Sequence, residues 1–184
     1  MARTYEDIQD ELLVIRSRER DADSLRALVR RWQPRLTRLA WRLTADRDAA
    51  RDIAQETWLA IVRGLVRLDD PARFRAWAYR IVTNKCADWT RRRTARRRAM
   101  TKVRADATTC TESESQCGGQ DDVTRLRAAM RRLPDEHRAL LSLRYLDGLS
   151  VAELGDALGI AQGTVKSRLH HARKRLKQYM EKMR

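Results

Sequence analysis

A run of residues near the carboxyl end of the chain has the types and spacing needed to recognise DNA bases. Ser150 is followed three residues later by Glu153, which predicts a capping box at the start of a helix. Gly159 permits the positive φ of a tight helix end, and a second helix follows with Val165 and Leu169 on its apolar side. The pattern predicts a helix-turn-helix whose second helix enters a DNA major groove. Its polar side carries Lys166, Ser167, Arg168, His170, His171 and Arg173.

A helical hairpin with a merely solvated basic face is the alternative for this segment. Gly155 lies where two helices must approach closely, and Ile160 follows at the corner between them. Because the cap, the glycines, the apolar corner and the basic second helix agree with one another, we favour the DNA-binding interpretation.

A second candidate site is acidic. Asp52, Gln55 and Glu56 are spaced i, i+3 and i+4, so they share one face of a predicted helix. In a chain of net charge +15, such a face is unsuited to DNA and suits a basic surface on a protein partner. A solvated acidic face that pairs with nearby arginines is the alternative. Trp58 on the same helix is predicted to belong to the core.

A third candidate site combines an aromatic ring, an amide and several cations. Opening a duplex requires stacking or pocketing of the unpaired bases and charge that holds the displaced backbone. Six arginines within residues 91–98 repel one another unless an anion is near, which favours contact with the DNA backbone. Trp77 is predicted to be core, whereas Trp89 could be core or contact. The candidate residues are Asn84, Lys85, Asp88, Trp89, Arg91 and Arg92.

The composition indicates which elements position these sites. Only 7 Gly and 3 Pro occur among 184 residues, and Ala, Leu and Arg are abundant, which favours helices throughout. The hydrophobic share of 42% includes five Trp, enough for packed cores. The net charge of +15 indicates an acidic polymer as partner. We therefore predict an all-α protein of two small helical domains.

Two stretches with helical apolar spacing are separated by a polar one. The first domain is predicted to span residues 1–98 and the second, with the helix-turn-helix, residues 122–184. Residues 99–121 between them form a predicted flexible linker, because most of this stretch is small, polar and acidic without an apolar period. Pro34 interrupts the pattern of a long helix and predicts a kink or a break there.

Several classes of protein fit the sequence poorly. No apolar run approaches the ~18 residues that span a membrane, and the amino terminus has no signal-peptide stretch. We therefore expect a cytoplasmic protein without membrane insertion. The chain has no Gly-rich phosphate loop, nucleophile elbow or carboxylate–histidine metal spacing. We predict that it is not an enzyme and that it has no cofactor and no metal site.

The three cysteines lack the spacing of a disulfide framework or a zinc site. Cys86 occupies an apolar helical position and is expected to be a buried thiol. Cys110 and Cys117 lie in the predicted linker, where a redox-sensitive bridge is conceivable and incidental cysteines are favoured.

Separate segments of the chain resemble one family, the extracytoplasmic-function (ECF) RNA polymerase sigma factors. The sequence GTVKSRL at Gly163–Leu169, followed by Ala172 and Arg173, is similar to the promoter-binding end of the family. The family usually has Arg where this chain has His171, which weakens the expectation of a phosphate contact there. Three segments of the first domain resemble region 2 of the family. They are WQPRL at Trp32–Leu36, DIAQETW at Asp52–Trp58 and FRAWAYRI at Phe74–Ile81.

The resemblance implies an alternative bacterial sigma factor that binds core RNA polymerase and directs it to promoter DNA. Asp52, Gln55 and Glu56 would bind a coiled coil of the β′ subunit, and residues 84–92 would open the −10 element. The second domain would bind the β flap and read the −35 element. An anti-sigma factor is implied as a regulatory partner.

A stand-alone helix-turn-helix regulator that binds duplex DNA without polymerase is the competing function. It explains the second domain but not the acidic face or the aromatic and cationic segment. We also expect the two basic domains to collapse together through their acidic linker when the chain is free, so that the isolated protein binds promoter DNA poorly.

Overall fold

The computed structural model describes residues 5–103 and 121–183, and all regular structure within them is helical. Short 3₁₀ turns at Leu65–Arg67 and Pro71–Arg73 connect the third and fourth α-helices. The predicted all-α class is confirmed. No helix among these residues is long and apolar enough to cross a membrane. The helices are α1 Tyr5–Arg18, α2 Ala22–Thr44, α3 Arg47–Gly64, α4 Phe74–Val103, α5 Asp121–Arg132, α6 Asp135–Tyr145, α7 Val151–Leu158 and α8 Gln162–Glu181.

Helices α1–α4 form an amino-terminal unit around α2. Trp32 of α2 is fully buried and makes edge contacts with Phe74 and Tyr79 of α4, with ring centroids 5.2 and 5.5 Å apart. Such pairs contribute about 0.5–1.5 kcal/mol beyond the burial of their area. The start of α4 is thereby fixed against the centre of α2.

α2 continues through Pro34 as one helix from Ala22 to Thr44, so of the predicted kink or break the break does not occur. Proline in a helix interior costs about 3 kcal/mol. On both sides of it, Leu28, Trp32 and Leu36 are fully buried, and each such burial stabilises the fold by about 1.5–3 kcal/mol. The packing of one helix face therefore outweighs the local cost of the proline.

Helices α5–α8 form a carboxyl-terminal unit that contains the predicted helix-turn-helix. The capping box is confirmed, since Ser150 accepts from the backbone N–H of Glu153 and the Glu153 carboxylate accepts from the N–H of Ser150. Gly159 ends α7 with φ of +67°. At Gly155 an added Cβ would lie only 2.9 Å from the carbonyl oxygen of Ile160, so the corner requires glycine.

α4 carries the arginine-rich segment 91–98 within one helix that extends to Val103. Cys86 on this helix is buried as predicted, and burial raises the pKa of its thiol to about 12. Cys110 and Cys117, with most of the predicted linker, lie outside the described residues.

The two units contact each other directly. The first part of α4 packs against α7, and α2 packs against α6. The recognition helix α8 takes no part in these contacts and packs within its own unit, against α5, α6 and α7.

Candidate nucleic-acid and protein interfaces

The recognition helix α8 is attached to its unit by one narrow apolar stripe. Val165, Leu169 and Ala172 are buried on that stripe, at i, i+4 and i+7. The remaining sides of the helix face solvent, so its polar groups are available to a large flat or grooved partner such as a duplex. The exposed predicted contacts are Lys166, Ser167, His170, His171 and Arg173.

Arg168 differs from its neighbours because it pairs within the protein. Its Nη1 lies 2.9 Å from a carboxylate oxygen of Glu136 on α6, and the side chain is only partly exposed. His170 and His171 stack edge to face with ring centroids 5.6 Å apart. His137 on α6 is a nearby third imidazole, and burial, followed by the positive charge of Arg175, lowers its pKa. His137 therefore lies close to the cationic residues of α8.

On α3 the structure exposes Asp52, Gln55 and Glu56 together, as their spacing predicts. Glu56 also makes an ion pair of 3.0 Å with Lys85 of α4. Lys85 is thus held toward the acidic face instead of pointing along the rest of the third candidate site. Trp58 is buried, as predicted.

The same face of α3 continues into apolar residues that sequence reasoning missed. Leu59 and Val62 are 52% and 47% exposed, and Val66 in the following 3₁₀ turn is 67% exposed. They follow Asp52, Gln55 and Glu56 at helical steps of three and four, so one stripe is acidic at its start and apolar at its end. Ile61, the neighbour of Val62 in the chain, is fully buried, whereas Val62 is not. The sequence signal that could have predicted this exposure is the spacing of three and four residues, which places Leu59, Val62 and Val66 on the same helix face as Asp52, Gln55 and Glu56.

The third candidate site lies on the solvent side of α4. Asn84 is exposed, and the Trp89 ring is partly exposed with the Arg93 guanidinium 4.9 Å from its centroid. Asp88 accepts a hydrogen bond from Arg91 through its side chain and from Arg92 through its carbonyl oxygen. A partly exposed ring beneath a cation is suited to stacking with an unpaired base. Arg93 was not among the predicted contact residues.

Trp77 is partly buried and serves packing. Its ring lies 2.8 Å from the position that a Cβ on Gly64 would occupy, so the end of α3 approaches α4 closely at this glycine. The ring also packs against Phe74, with centroids 6.2 Å apart. This agrees with the prediction that Trp77 is a core residue.

Comparison with known proteins gives the same division into two parts. The Sigma-70 region 2 family matches residues 28–97, and the Sigma-70, region 4 family matches residues 124–176. ECF RNA polymerase sigma factor SigL of Mycobacterium tuberculosis is 34% identical over 165 residues, covering 89% of this chain and 92% of that protein. ECF RNA polymerase sigma factor SigE of Mycolicibacterium smegmatis is 36% identical over 162 residues, covering 84% of this chain but 61% of that longer protein.

Solved structures share the fold. CnrH in complex with the cytosolic domain of CnrY superposes with a TM-score of 0.70 at 24% identity, covering 94% of this chain and 97% of that one. Sigma factor RpoE of Bartonella quintana, in complex with the anti-sigma factor NepR, gives a TM-score of 0.66 at 22% identity, covering 85% and 96%.

A region 2 unit followed by a region 4 helix-turn-helix defines a transcription initiation factor of the sigma-70 type. More narrowly, the chain belongs to the family of ECF RNA polymerase sigma factors. It is an alternative sigma factor that directs promoter recognition by RNA polymerase, and membership of this family decides against the stand-alone regulator.

Proposed function

We propose that the exposed faces of α3, α4 and α8 divide the work of promoter recognition. The α3 stripe binds the β′ coiled coil of core RNA polymerase, residues 84–92 of α4 hold the opened −10 element, and α8 reads the −35 element while its unit binds the β flap. The observation that carries this proposal is the opposite chemistry of two outward helix faces. The α3 stripe is acidic and apolar, whereas α8 is cationic.

The acidic start of the α3 stripe is suited to a basic protein surface. Asp52 and Gln55 are exposed and supply acceptors, and Leu59 and Val62 add apolar area that desolvates the contact. Buried apolar area at the centre of an interface with polar groups around it is the usual arrangement of protein contacts. We therefore place Leu59, Val62 and Val66 in the polymerase contact beside the predicted residues.

On α4, Asn84 is the proposed base contact and Trp89, with Arg93, the proposed stacking platform. Arg91 and Arg92 are proposed to hold the backbone of the displaced strand. On α8, Lys166, Ser167, His170 and His171 are proposed to reach base edges. Arg168 and Arg173 are proposed to contact phosphate or the polymerase, and Arg168 must leave Glu136 in order to do so.

The proposal gives the chain no catalytic activity of its own and places it in the cytoplasm with the polymerase. It includes an anti-sigma factor as a regulatory partner. Support comes from two structural neighbours that were solved in complexes, CnrH with the cytosolic domain of CnrY and RpoE with the anti-sigma factor NepR.

Run-off transcription from a library of promoter fragments tests the proposal. Purified core polymerase is assayed with and without the chain, and discrete start sites are expected only when the chain is present. Asp52→Arg is expected to abolish these transcripts. Asp23→Arg, which reverses an equally exposed acid on α2, is the matched control and should support initiation. Start sites that persist with Asp52→Arg would refute the α3 assignment.

A further inference from the structure

Helix α1 carries a row of apolar side chains on the side that faces solvent. Ile8, Leu12 and Ile15 recur at i, i+4 and i+7 and are 52%, 48% and 43% exposed, and Tyr5 at the start of the helix is 74% exposed. At about 100° per residue, the four positions occupy about 80° of the helix circumference. A surface helix ordinarily turns such a row toward the core. These four side chains are called the α1 ridge below.

The opposite side of α1 attaches the helix to the first unit, largely by ion pairs. The carboxylate of buried Asp10 lies 2.6 Å from Nε of Arg31 on α2, and that of Glu6 lies 2.9 Å from Nη2 of Arg35. Val14 on the same side is fully buried. The helix is therefore held in place without its ridge, and the apolar ridge is left for a second surface.

The α1 ridge continues into the apolar end of the α3 stripe. Ile15 of the ridge and Val66 of the stripe line one shallow cavity. α1 also packs against the 3₁₀ turn Leu65–Arg67, which contains Val66. The ridge and the end of the stripe therefore form one contiguous apolar surface. On a soluble protein, a contiguous exposed apolar patch marks an interaction site.

A groove beside the ridge gives this surface a shape that a partner can fill. Leu12 of the ridge lines the groove together with Leu13, and Ala27 of α2 lines it from the other side. Arg30 and Arg31 of α2 also line it. In protein interfaces, side chains that anchor a partner fill pockets of this kind.

The location of the ridge favours core RNA polymerase as its partner. A protein that covers the α3 stripe as far as Val66 meets Ile15 next. A dimer formed through the ridge alone is disfavoured, because stable interfaces use about 20–30 residues a side and the ridge supplies four. Nucleic acid is unsuited, because apolar side chains offer a phosphate no cation.

We propose that the α1 ridge is a second docking surface for core RNA polymerase, continuous with the α3 stripe. The inference rests on the proposed function for the contact at α3. It extends that contact to a helix outside residues 28–97, the segment that matches Sigma-70 region 2. The ridge binds an apolar patch of the polymerase beside the surface that covers the stripe. This contribution to affinity is not screened by salt.

A charge placed on the ridge of the full chain tests the assignment. Leu12→Glu is expected to weaken binding to core polymerase roughly tenfold, as for an interface residue that contributes to affinity. Leu126→Glu makes the same substitution on α5, where Leu126 is 39% exposed, and is the matched control that should bind normally. Leu12→Met keeps the apolar surface and should also bind normally. Titration of labelled chain with core polymerase measures all three, and equal affinities of Leu12→Glu and Leu126→Glu would overturn the proposal.

A photocrosslinker distinguishes direct contact from an indirect effect on the helix. Benzoylphenylalanine in place of Leu12 should crosslink to a subunit of core polymerase. The same group in place of Asp23, an exposed residue of α2, should not. Circular dichroism shows whether Leu12→Glu keeps its helicity, and if it does not, the crosslink decides. Lack of a crosslink at position 12 would count against the ridge as a polymerase contact.

Sedimentation equilibrium of the free chain tests a second copy as the competing occupant. A monomer at the concentrations of the titration agrees with the proposal. A dimer that Leu12→Glu dissociates would assign the ridge to self-association and overturn it.

Val62→Glu, in the α3 stripe, separates the failure of this inference from that of the proposed function. Weaker polymerase binding with Val62→Glu but not with Leu12→Glu would remove the ridge and leave the α3 contact. Weaker binding with Leu12→Glu alone would remove the α3 assignment and leave the ridge. Weaker binding with both, and normal binding with Leu126→Glu, is the expected result.

Discussion

The outward faces of α3 and α8 are built by the same rule and have opposite chemistry. In each helix, apolar residues at steps of three and four attach one side to the core, with Ile53 and Ile61 buried on α3 and Val165 and Leu169 on α8. The free side of α3 is acidic and then apolar, whereas that of α8 is cationic and polar. The difference teaches that the proposed assignment of α3 to the polymerase and of α8 to DNA rests on the solvent side of each helix, and not on the helix type or the core side.

The two faces should also respond differently to salt. Each phosphate that α8 neutralises adds about 0.9 to the slope of log K against log salt. Burial of Leu59 and Val62 against a protein removes apolar area from water, and this contribution is not screened by salt. Polymerase binding should therefore persist at salt concentrations that abolish DNA binding, and the substitutions below sharpen or break this contrast.

The largest effect is expected from Val62→Glu at the centre of the α3 stripe. A charge buried there would weaken binding to core polymerase by about 2 kcal/mol or more, roughly thirtyfold, as for other central interface residues. The affinity for DNA should remain unchanged. Titration of labelled chain with core polymerase measures the effect. Val123→Glu, on a similarly exposed valine of α5, should bind core polymerase normally, and an equal loss there would break the assignment.

Lys166→Ala on α8 should weaken the discrimination between DNA bases and leave polymerase binding unchanged, which is the opposite of the result expected for Val62→Glu. Loss of a base-edge contact costs about 1–3 kcal/mol of discrimination against the wrong base. The expected outcome is relaxed preference at one position of the −35 element with core binding intact. Competition between promoter fragments that differ by single bases measures it. Gln178→Ala, three turns further along α8, is the control, and equal effects of both changes would count against base readout by Lys166.

Ser150→Ala tests whether DNA binding by α8 depends on the stability of the unit that holds this helix. Loss of this cap should lower the free energy of unfolding of the second unit by about 1 kcal/mol. DNA binding should weaken at temperatures near the midpoint of thermal unfolding of the second unit, whereas polymerase binding through α3 should not change. Urea unfolding followed by circular dichroism gives the free energy. Ser167→Ala removes an exposed hydroxyl without a capping role and should not lower that free energy.

The smallest effect concerns His137 beneath α8. Burial lowers its pKa in the folded protein below the ordinary value of 6.5, so the unfolded chain takes up a proton first as the pH falls. The stability that His137 contributes is present above pH 6.5 and is lost as the pH falls through the folded pKa. His137→Gln should make the unfolding free energy less dependent on pH in this range. His170→Gln, on the exposed side, is the control.

Local patterns predicted the second unit well. Each prediction that was confirmed there depends on residues close together in the sequence. They are the capping box at Ser150, the left-handed Gly159 and the burial of Val165 and Leu169. These signals depend on local backbone preferences and on helical periodicity. Both can be inferred from the residue types and their spacing in the sequence.

Contacts between segments that are far apart in the sequence could not be predicted from local patterns. Ile61 and Val62 are adjacent apolar residues, and only the packing of α3 shows that the second is exposed. Nothing local marks Asp147 as the partner of Arg42, which is 105 residues earlier. Of the kink or break predicted at Pro34, the break does not occur, because the compensating burial comes from tertiary packing. The roles of the exposed residues on α3, α4 and α8 stay predictions.

The length of α4 has a mechanical consequence. Arg75 lies in the contact between the units and Arg98 lies 23 residues further on the same helix, which at 1.5 Å per residue is about 35 Å away. A helix of this kind acts as a lever arm. A tilt of about 10° at its anchored end displaces the far end by about 6 Å, nearly two steps of 3.4 Å along one DNA strand. A small rotation at the junction therefore changes which phosphates the distant arginines can reach.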